Sequence, residues 1–320
     1  MLVSFRLTSG MTKALLQDDI NAFKPQPAAT ALRGDRFYFS GLYTAPVEGW
    51  HGGRRLAVRV RSALRKSITV YRVEQVPVRM PFYPNRTDDD YLLRGPGLVP
   101  DLLRPSRVVL LQGGLLQQLL FEVRVPADTA PGDYPVTVSL VGGDGKQIAK
   151  ATLTLTVLGA VLPKQQLRVA QWFHCDCLAT YYRTKVFSER HWRLIEAFMK
   201  TAVDTGVNCI LTPVFTPPLD TAVGGERPTV QLVDVTREGG VYTFGFDKLK
   251  RFCELCRRVG VAELEIAHFF TQWGAEHAPK IMATVDGIYR RLFGWETDST
   301  GPEYVAFLRT FIPQLKQKTG

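Results

Sequence analysis

The sequence predicts a multidomain protein that joins an all-β domain to an α/β domain. Residues 1–160 are expected to form an antiparallel β-sandwich, and residues 161–320 the first three βα units of a (β/α)8, TIM-type barrel. The chain of 320 residues exceeds what one ordinary core holds. Its first half consists of short β-rich segments separated by turns, whereas its second half alternates strand and helix patterns.

The first half contains segments rich in β-branched and aromatic residues, without a helical period between them. They read FYFSGLY, LAVRVRS, SITVYRVEQV, LLFEVRV, YPVTVSL and ATLTLTV. Asp144-Gly145 separates the last two and is a strong hairpin signal. This pattern predicts an immunoglobulin-like sandwich.

One stretch of the first half is expected to be a long ordered loop. Residues 79–107 are rich in proline and acidic side chains. Asp88, Asp89 and Asp90 are consecutive, so they lack the alternating spacing of a calcium-binding loop. We interpret them as solvated loop residues.

In the second half, three apolar runs alternate with amphipathic segments. The expected strands are residues 166–174, 207–215 and 261–270. Ser188 and Gly206 bound the first predicted helix, and Asp247 and Gly260 the second. A third helix is expected from about Thr300, with a capping-box spacing to Glu303, and Pro313 should kink or end it.

Three parallel strands need further strands at their edges. The sequence therefore predicts an N-terminal, apparently truncated, piece of a larger barrel, and we expect the 320-residue chain to be unstable alone.

The net charge of +10 lies mainly in the first half, which holds 20 basic and 13 acidic residues, against 20 and 17 in the second. Arg59 and Arg61 alternate with Val58 and Val60, which places the arginines on one face of a strand. We interpret this as a solvated sheet face rather than a nucleic-acid site, because no nucleic-acid-binding module accompanies it. Binding of a polyanion to this face stays open.

The five cysteines and the chain's first residues bear on compartment. An odd cysteine count favours free thiols in a reducing environment. The first 19 residues show no signal-peptide pattern, and no run approaches the ~20 apolar residues of a membrane span. We expect a cytoplasmic protein without a membrane span. Its oligomeric state is left open.

In parallel α/β folds the active site lies at the carboxyl ends of the strands. Polar and aromatic residues follow each predicted strand there, namely His174 and Asp176, then Asp220, Arg227 and Gln231, then His268, Gln272 and Trp273. Such a mixture of carboxylates, amides, imidazoles and an aromatic ring suits the hydroxyl groups and apolar face of a sugar.

Metal and thiol chemistry are disfavoured at this site. On an extended strand, His174 and Asp176 would share one face and Cys175 and Cys177 the other, which separates Cys175 from His174. One residue between the cysteines is also less than structural zinc sites use. We expect neither a metal nor a cofactor.

Several blocks of the second half resemble a known family. WFHCDCLATYY, LTPVFTPPLDT, GGERPTVQLVDV, AHFFTQWGAEHAPKI and FGWETD are similar, in that order, to glycoside hydrolase family 123, the characterised part of domain of unknown function 4091. DDDYLLRGPGLVPDLLRP and VPADTAPGDYPVTVSL resemble the sandwich that precedes its barrel. The resemblance implies a retaining exo-β-N-acetylgalactosaminidase that removes terminal β-linked N-acetylhexosamine from glycans.

The resemblance also implies a substrate-assisted mechanism, in which the substrate's acetamido oxygen is the nucleophile. An aspartate orients that group, and the adjacent glutamate is the general acid and base. The chain contains no Asp-Glu dipeptide, so this pair is expected beyond Gly320 and the catalytic residues are unknown. The alternative is a catalytically incomplete, carbohydrate-binding relative. The eight polar and aromatic residues match the family's blocks and are its candidate substrate-binding residues.

Overall fold

The computed structural model describes residues 3–47, 53–80, 90–219, 221–272 and 274–319. The chain divides into two compact units, Met1–Lys164 and Gln165–Gly320.

The N-terminal unit consists of two five-stranded sheets. The first has the order β1 (Ser4–Ser9), β3 (Arg36–Thr44), β8 (Gln117–Arg124), β5 (Ile68–Val78) and β6 (Gly97–Pro105). The second has the order β2 (Ala28–Arg33), β10 (Gln147–Val161), β9 (Gly132–Val141), β4 (Arg54–Arg61) and β7 (Val108–Leu111). Neighbouring strands are antiparallel, except that β2 pairs in parallel with β10. Phe39 and Phe121 of the first sheet share one buried core with Val138 and Leu155 of the second, which is the arrangement of a β-sandwich.

The six β-rich segments lie in β3, β4, β5, β8, β9 and β10, as predicted. Asp144-Gly145 lies in the turn between β9 and β10, where Gly145 has φ +80° and its N–H donates to the Gly142 carbonyl at 3.0 Å. Strand β6 corrects the expectation of a continuous loop. Strand β6 lies at the edge of its sheet and has no neighbouring strand on one side. Pro100, which lacks a backbone N–H, is tolerated there because that side of the strand needs no hydrogen-bond donor. Asp88 and Asp89 lie outside the described residues.

In the C-terminal unit, three short strands form a parallel sheet. Its order is β11 (Ala170–Gln171), β12 (Cys209–Thr212) and β15 (Glu263–Ile266). Helix α2 (Glu189–Asp204) connects the first two strands, and α3 (Asp247–Val259) precedes the third. This succession agrees with the predicted βα units. That these units are the first part of a (β/α)8 barrel stays a prediction.

Both of these helices have the predicted ends. The Ser188 hydroxyl accepts a hydrogen bond from the His191 N–H at 3.3 Å, and Gly260 ends α3 in the left-handed conformation at φ +96°. Helix α4 (Pro302–Thr319) continues past Pro313, so of the two predicted effects this residue does not end the helix, and a kink there stays a prediction. Phe311 and Leu315 are buried on either side of the proline and anchor both halves in the core.

A second, four-stranded sheet in this unit was not predicted. Its order is β14 (Val241–Gly245), β13 (Asp234–Glu238), β16 (Ile281–Val285) and β17 (Ile288–Phe293). Both of its hairpins turn on two residues with positive φ, Gly239 at +52° and Gly240 at +86°, and Asp286 at +47° and Gly287 at +84°. Such angles are those of type I′ turns, for which Gly-Gly and Asp-Gly are strong sequence signals.

Aromatic rings fill the core of the C-terminal unit. Phe311 of α4 lies 4.7 Å from Phe215 and 5.1 Å from Phe244, measured between ring centroids. The helix thereby packs on both the loop after β12 and the second sheet. No helix among the described residues has the length and apolar character that a membrane span requires.

Candidate active site

The segment at the end of β11 is helical, which corrects the sequence prediction. Strand β11 ends at Gln171, and α1 (Cys175–Tyr181) begins directly after His174. Cys175, Leu178 and Ala179 share the buried face of this helix, because residues three and four apart lie on one side. The expected alternation of Asp176 with Cys175 and Cys177 is therefore wrong. Asp176 and Cys175 are both buried, whereas Cys177 is exposed.

Asp176 and Arg227 form a buried, bidentate ion pair. Arg227 Nε donates to Asp176 Oδ2 at 3.0 Å and Arg227 Nη2 to Oδ1 at 3.2 Å. The side chain of Asp176 is 5% exposed and that of Arg227 is 13% exposed. Arg227 Nη1 also donates to the Leu219 carbonyl at 3.1 Å. The pair ties α1 to the long loop after β12, so two candidate residues predicted from separate strand ends meet directly.

His191, which the sequence analysis did not single out, fixes the first turn of α1. Its Nδ1 accepts a hydrogen bond from the Phe187 N–H at 2.9 Å, so in the neutral ring Nε2 carries the proton and donates to the Cys175 carbonyl, also at 2.9 Å. Burial lowers the pKa of His191, which favours this neutral form. The Cys175 carbonyl that His191 holds belongs to the residue directly before Asp176. The position of His191 beside Trp192 on the buried face of α2 is the sequence signal that could have indicated this histidine.

A second charged network holds the segment that carries Arg227. Lys280 Nζ donates to the Arg227 carbonyl and lies 3.4 Å from Glu226 Oε2. Arg291 also pairs with Glu226. The positive charge of Lys280 has the largest effect in lowering the pKa of the Glu226 carboxyl, and the charge of Arg291 lowers it further. Trp295 Nε1 donates to the Gly225 carbonyl at 2.8 Å.

A small cleft adjoins this network. Thr216, Pro217 and Trp295 are among the residues that line it. Its volume of about 20 Å³ is enough for a water molecule.

At the ends of β15 and β11, an imidazole and an indole are exposed side by side. His268 contacts Trp172 edge to face, with ring centroids 5.6 Å apart. Trp172 Nε1 donates to Glu265 Oε1 at 3.1 Å, and the residue is 45% exposed. An anchored but accessible indole offers an apolar surface of the kind that ligand sites use.

The remaining candidate residues have different surroundings. The Gln231 amide donates to the Val233 and Met282 carbonyls, both at 2.8 Å, and accepts from the Met282 N–H at 2.9 Å. It therefore bridges backbone segments. Gln272 Nε2 donates to the Thr221 carbonyl at 3.1 Å and so reaches the loop after β12.

His174 is partly buried and precedes α1. Asp220 and Trp273 lie outside the described residues. Substrate binding by the eight candidate residues stays a prediction.

Comparisons with known proteins address the C-terminal unit most directly. Residues 172–319 match the family model of the glycoside hydrolase 123 catalytic domain. No curated protein sequence matches the chain significantly.

Among solved structures, a family 123 glycoside hydrolase from Clostridium perfringens, described in a study of glycolipid glycan hydrolysis, is similar with a TM-score of 0.75. The identity is 12%, and the similarity covers 99% of this chain but 56% of that one. At this identity the similarity shows the fold alone. The chain thus spans little more than half the length of this relative.

Two further structures are similar over about half of this chain. The N-terminal domain of PorA has 11% identity and a TM-score of 0.25, and covers 49% of this chain and 99% of its own. A DUF4466 family protein from Parabacteroides merdae has 12% identity and a TM-score of 0.26, over 48% of this chain and 43% of its own. Neither similarity is high enough to carry an argument. The family match, over the part of the chain that holds the Asp176–Arg227 pair, confirms the resemblance seen in the sequence: residues 172–319 match the catalytic-domain model of glycoside hydrolase 123.

Proposed function

We propose that the protein to which this chain belongs is an exo-β-N-acetylgalactosaminidase-like glycosidase that hydrolyses terminal β-linked N-acetylhexosamine. The observation that carries the proposal is the glycoside hydrolase 123 catalytic-domain match over residues 172–319. The reaction is substrate-assisted and retaining, and needs no cofactor. The acetamido oxygen attacks the anomeric carbon, the bond to the leaving oxygen breaks as that oxygen is protonated, and water then opens the oxazolinium ion.

Within this mechanism, the residues of this chain bind and position the sugar. Trp172 and His268 present an accessible aromatic surface at the ends of β11 and β15. Asp176 and Arg227 neutralise one another, so they serve as a rigid link between α1 and the loop after β12 rather than as free charges. Asp220 and Trp273 are also proposed to contact the substrate.

The test is hydrolysis by the product of the complete coding frame that includes this chain. We expect release of the aryl group from an aryl β-N-acetylgalactosaminide but not from the matching β-galactoside, which lacks the acetamido nucleophile. A thiazoline analogue of the oxazolinium ion should inhibit the reaction. Nuclear magnetic resonance should show the β-anomer as the first product, since two inversions retain the configuration.

A pair of variants tests the role of the indole. Trp172→Ala should raise KM by about 2- to 12-fold, which corresponds to about 0.5–1.5 kcal/mol for an aromatic contact. Phe198→Ala is the control, because Phe198 is an aromatic residue of α2 with a similar exposure of 42%. Glycan binding without turnover would favour the non-catalytic alternative. The absence of both binding and turnover with every N-acetylhexosaminide would refute the proposal.

A further inference from the structure

The outer face of the second sandwich sheet carries a groove lined by cations. Its volume is about 560 Å³, within the roughly 300–1,000 Å³ of small-molecule sites. Five basic residues line it, namely Arg59, Arg61, Arg65, Arg107 and Lys150. Thr137, Ser139 and Gln147 add uncharged hydrogen-bonding groups, and no acidic residue lines the groove within the described part of the chain.

Strand alternation and register create this surface. In β4 the core takes Val58 and Val60, so Arg59 and Arg61 project from the opposite face. Arg59 lies directly opposite Ser139 of β9, which in turn lies opposite Lys150 of β10. Strand geometry therefore separates the Arg59 and Arg61 backbones by about 7 Å, and Arg59 from Lys150 by about 10 Å.

These cations differ from Arg36, Arg104 and Arg124 of the first sheet, which have acidic partners. Glu122 pairs there with Arg36 at 3.2 Å and Arg124 at 3.1 Å, and Glu74 pairs with Arg104 at 2.9 Å. None of the five groove cations forms an ion pair with any carboxylate in the ranges that the structure describes. The positive charge of the groove is therefore not neutralised by the protein's described residues.

The charge of the neighbouring turn does not alter this conclusion. Asp144 follows the end of β9 and precedes Gly145, which lines the groove. The Asp144 carboxylate accepts a hydrogen bond from the Lys146 N–H at 3.1 Å. It is thus engaged by its own turn rather than by a groove arginine.

We propose that this groove binds a sulfated or carboxylated polysaccharide. Guanidinium groups bind sulfate and carboxylate oxygens through two parallel hydrogen bonds, and four of the five cations are arginines. The hydroxyl groups of Thr137 and Ser139 and the Gln147 amide can bind sugar hydroxyls between the anionic groups. The site lies in the N-terminal unit and does not depend on the proposed hydrolysis.

The lining favours such a glycan over nucleic acid. Proteins that bind single strands stack bases on aromatic side chains, and no aromatic residue is among the described residues that line this groove. Readers of duplex DNA insert a protruding helix or ribbon into a groove of the nucleic acid, whereas this surface is concave and formed by a sheet. An anionic polysaccharide chain can lie in a concave surface without either element.

The test measures the affinity of the full chain for heparin, which is the probe polysaccharide. Dextran serves as the uncharged control polysaccharide, and a 20-base-pair DNA duplex serves as an alternative polyanion. Binding to heparin but not to dextran is expected. It should weaken with added salt, because the release of counterions on binding becomes less favourable as the salt concentration rises. Arg59→Gln combined with Arg61→Gln should lower the affinity about tenfold or more. The matched control, Arg290→Gln with Arg309→Gln, removes the same two charges at exposed positions of the other unit and should change the affinity less than about twofold.

Each outcome bears on the proposal. Thermal unfolding of all three proteins must show equal midpoints for the two double variants, so that a lost fold is not read as lost binding. Equal heparin affinity of the groove variant and the control would overturn the proposal, because net charge alone would then explain the binding. Absence of heparin binding, or tighter binding of the duplex than of heparin at the same salt concentration, would overturn it as well.

Discussion

Replacing Asp176 by asparagine tests whether the buried ion pair stabilises the C-terminal unit. The change keeps the shape of the side chain and removes its charge, and it leaves Arg227, which is 13% exposed, without a counter-charge. The guanidinium would retain its hydrogen bond to the Leu219 carbonyl at 3.1 Å.

The magnitude follows from the geometry. Two unit charges about 4 Å apart interact by about 4 kcal/mol at an effective dielectric constant of about 20. Asparagine retains one acceptor for Arg227, which recovers about 1 kcal/mol. Asp176→Asn should therefore lower the free energy of unfolding by about 3 kcal/mol, which agrees with the usual cost of about 3–5 kcal/mol for removing one partner of a buried pair.

Urea unfolding followed by tryptophan fluorescence is the assay. Four of the five tryptophans lie in the C-terminal unit, namely Trp172, Trp192, Trp273 and Trp295. With a denaturant slope of about 2 kcal/mol per M, the midpoint should fall by more than about 1 M. Glu189→Gln is the control, because Glu189 forms an equally bidentate pair with Arg251, at 2.6 and 2.7 Å, but is 70% exposed. We expect no resolvable shift for it.

A double-mutant cycle isolates the pair itself. Arg227→Met should also destabilise the unit, whereas the double variant should lose much less than the sum of the two single losses, since no buried charge is left alone. A coupling energy of about 2 kcal/mol is expected. A midpoint for Asp176→Asn equal to that of Glu189→Gln, or a coupling energy near zero, would refute the reasoning.

Three further predictions concern single side chains. Burial lowers the pKa of His191 below its ordinary 6.5, so the unfolded chain takes up a proton at a higher pH than the folded chain does. The contribution of His191 to the free energy of unfolding is therefore complete above about pH 6.5 and is lost as the pH falls below that value. In urea unfolding between pH 5 and 7, the free energy of unfolding of His191→Gln should fall less steeply as the pH decreases. The difference in slope should correspond to the uptake of about one proton. Titration with a thiol reagent at pH 8 should modify the exposed Cys177 first, whereas burial raises the pKa of Cys175 and raises that of Cys256 to about 12, so both should react only in urea. Gln231→Leu should cost about 2–3 kcal/mol in urea unfolding, because it leaves buried backbone groups unpaired.

Different results would contradict each of these. An unchanged pH dependence in His191→Gln would mean that another group carries it. Rapid reaction of Cys256 in the native protein would contradict its burial. If Gln231→Leu unfolded at the wild-type urea concentration but raised the KM of the complete enzyme, the residue would serve the substrate rather than the fold.

The sequence predicted those elements whose local signals agree with their packing. Helix α3 has an acidic first turn at Asp247, a glycine at position 260 with φ +96°, and an apolar face that the core buries. In β4 the valines and arginines alternate from Val58 to Arg61, and the structure buries both valines and exposes both arginines. In such segments, propensity and tertiary contacts favour the same conformation.

The prediction failed where the local pattern was ambiguous. The run from Gln166 to His174 is apolar enough for a strand, yet only Ala170 and Gln171 pair with β12, and α1 follows. Short apolar runs do not distinguish a strand from a buried helix, since periodicity needs a longer window.

The ion pair of Asp176 and Arg227 joins residues 51 positions apart, and no local signal indicates such a contact. The resemblance placed both residues in one site but gave no contact between them. The neutral tautomer of His191 likewise depends on Phe187 and the Cys175 carbonyl, which meet only in the folded unit.

The parallel pairing of β2 with β10 sets the order in which the sandwich can form. Ala28 pairs with Thr154, so this contact closes a loop of 126 residues, whereas the β9–β10 hairpin forms across a short turn. During synthesis, β2 leaves the ribosome long before its partner exists, and it must wait unpaired until nearly the whole N-terminal unit has emerged. Contacts this distant slow folding into the range of about milliseconds to seconds, so the second sheet should be completed last, by its N-terminal strand.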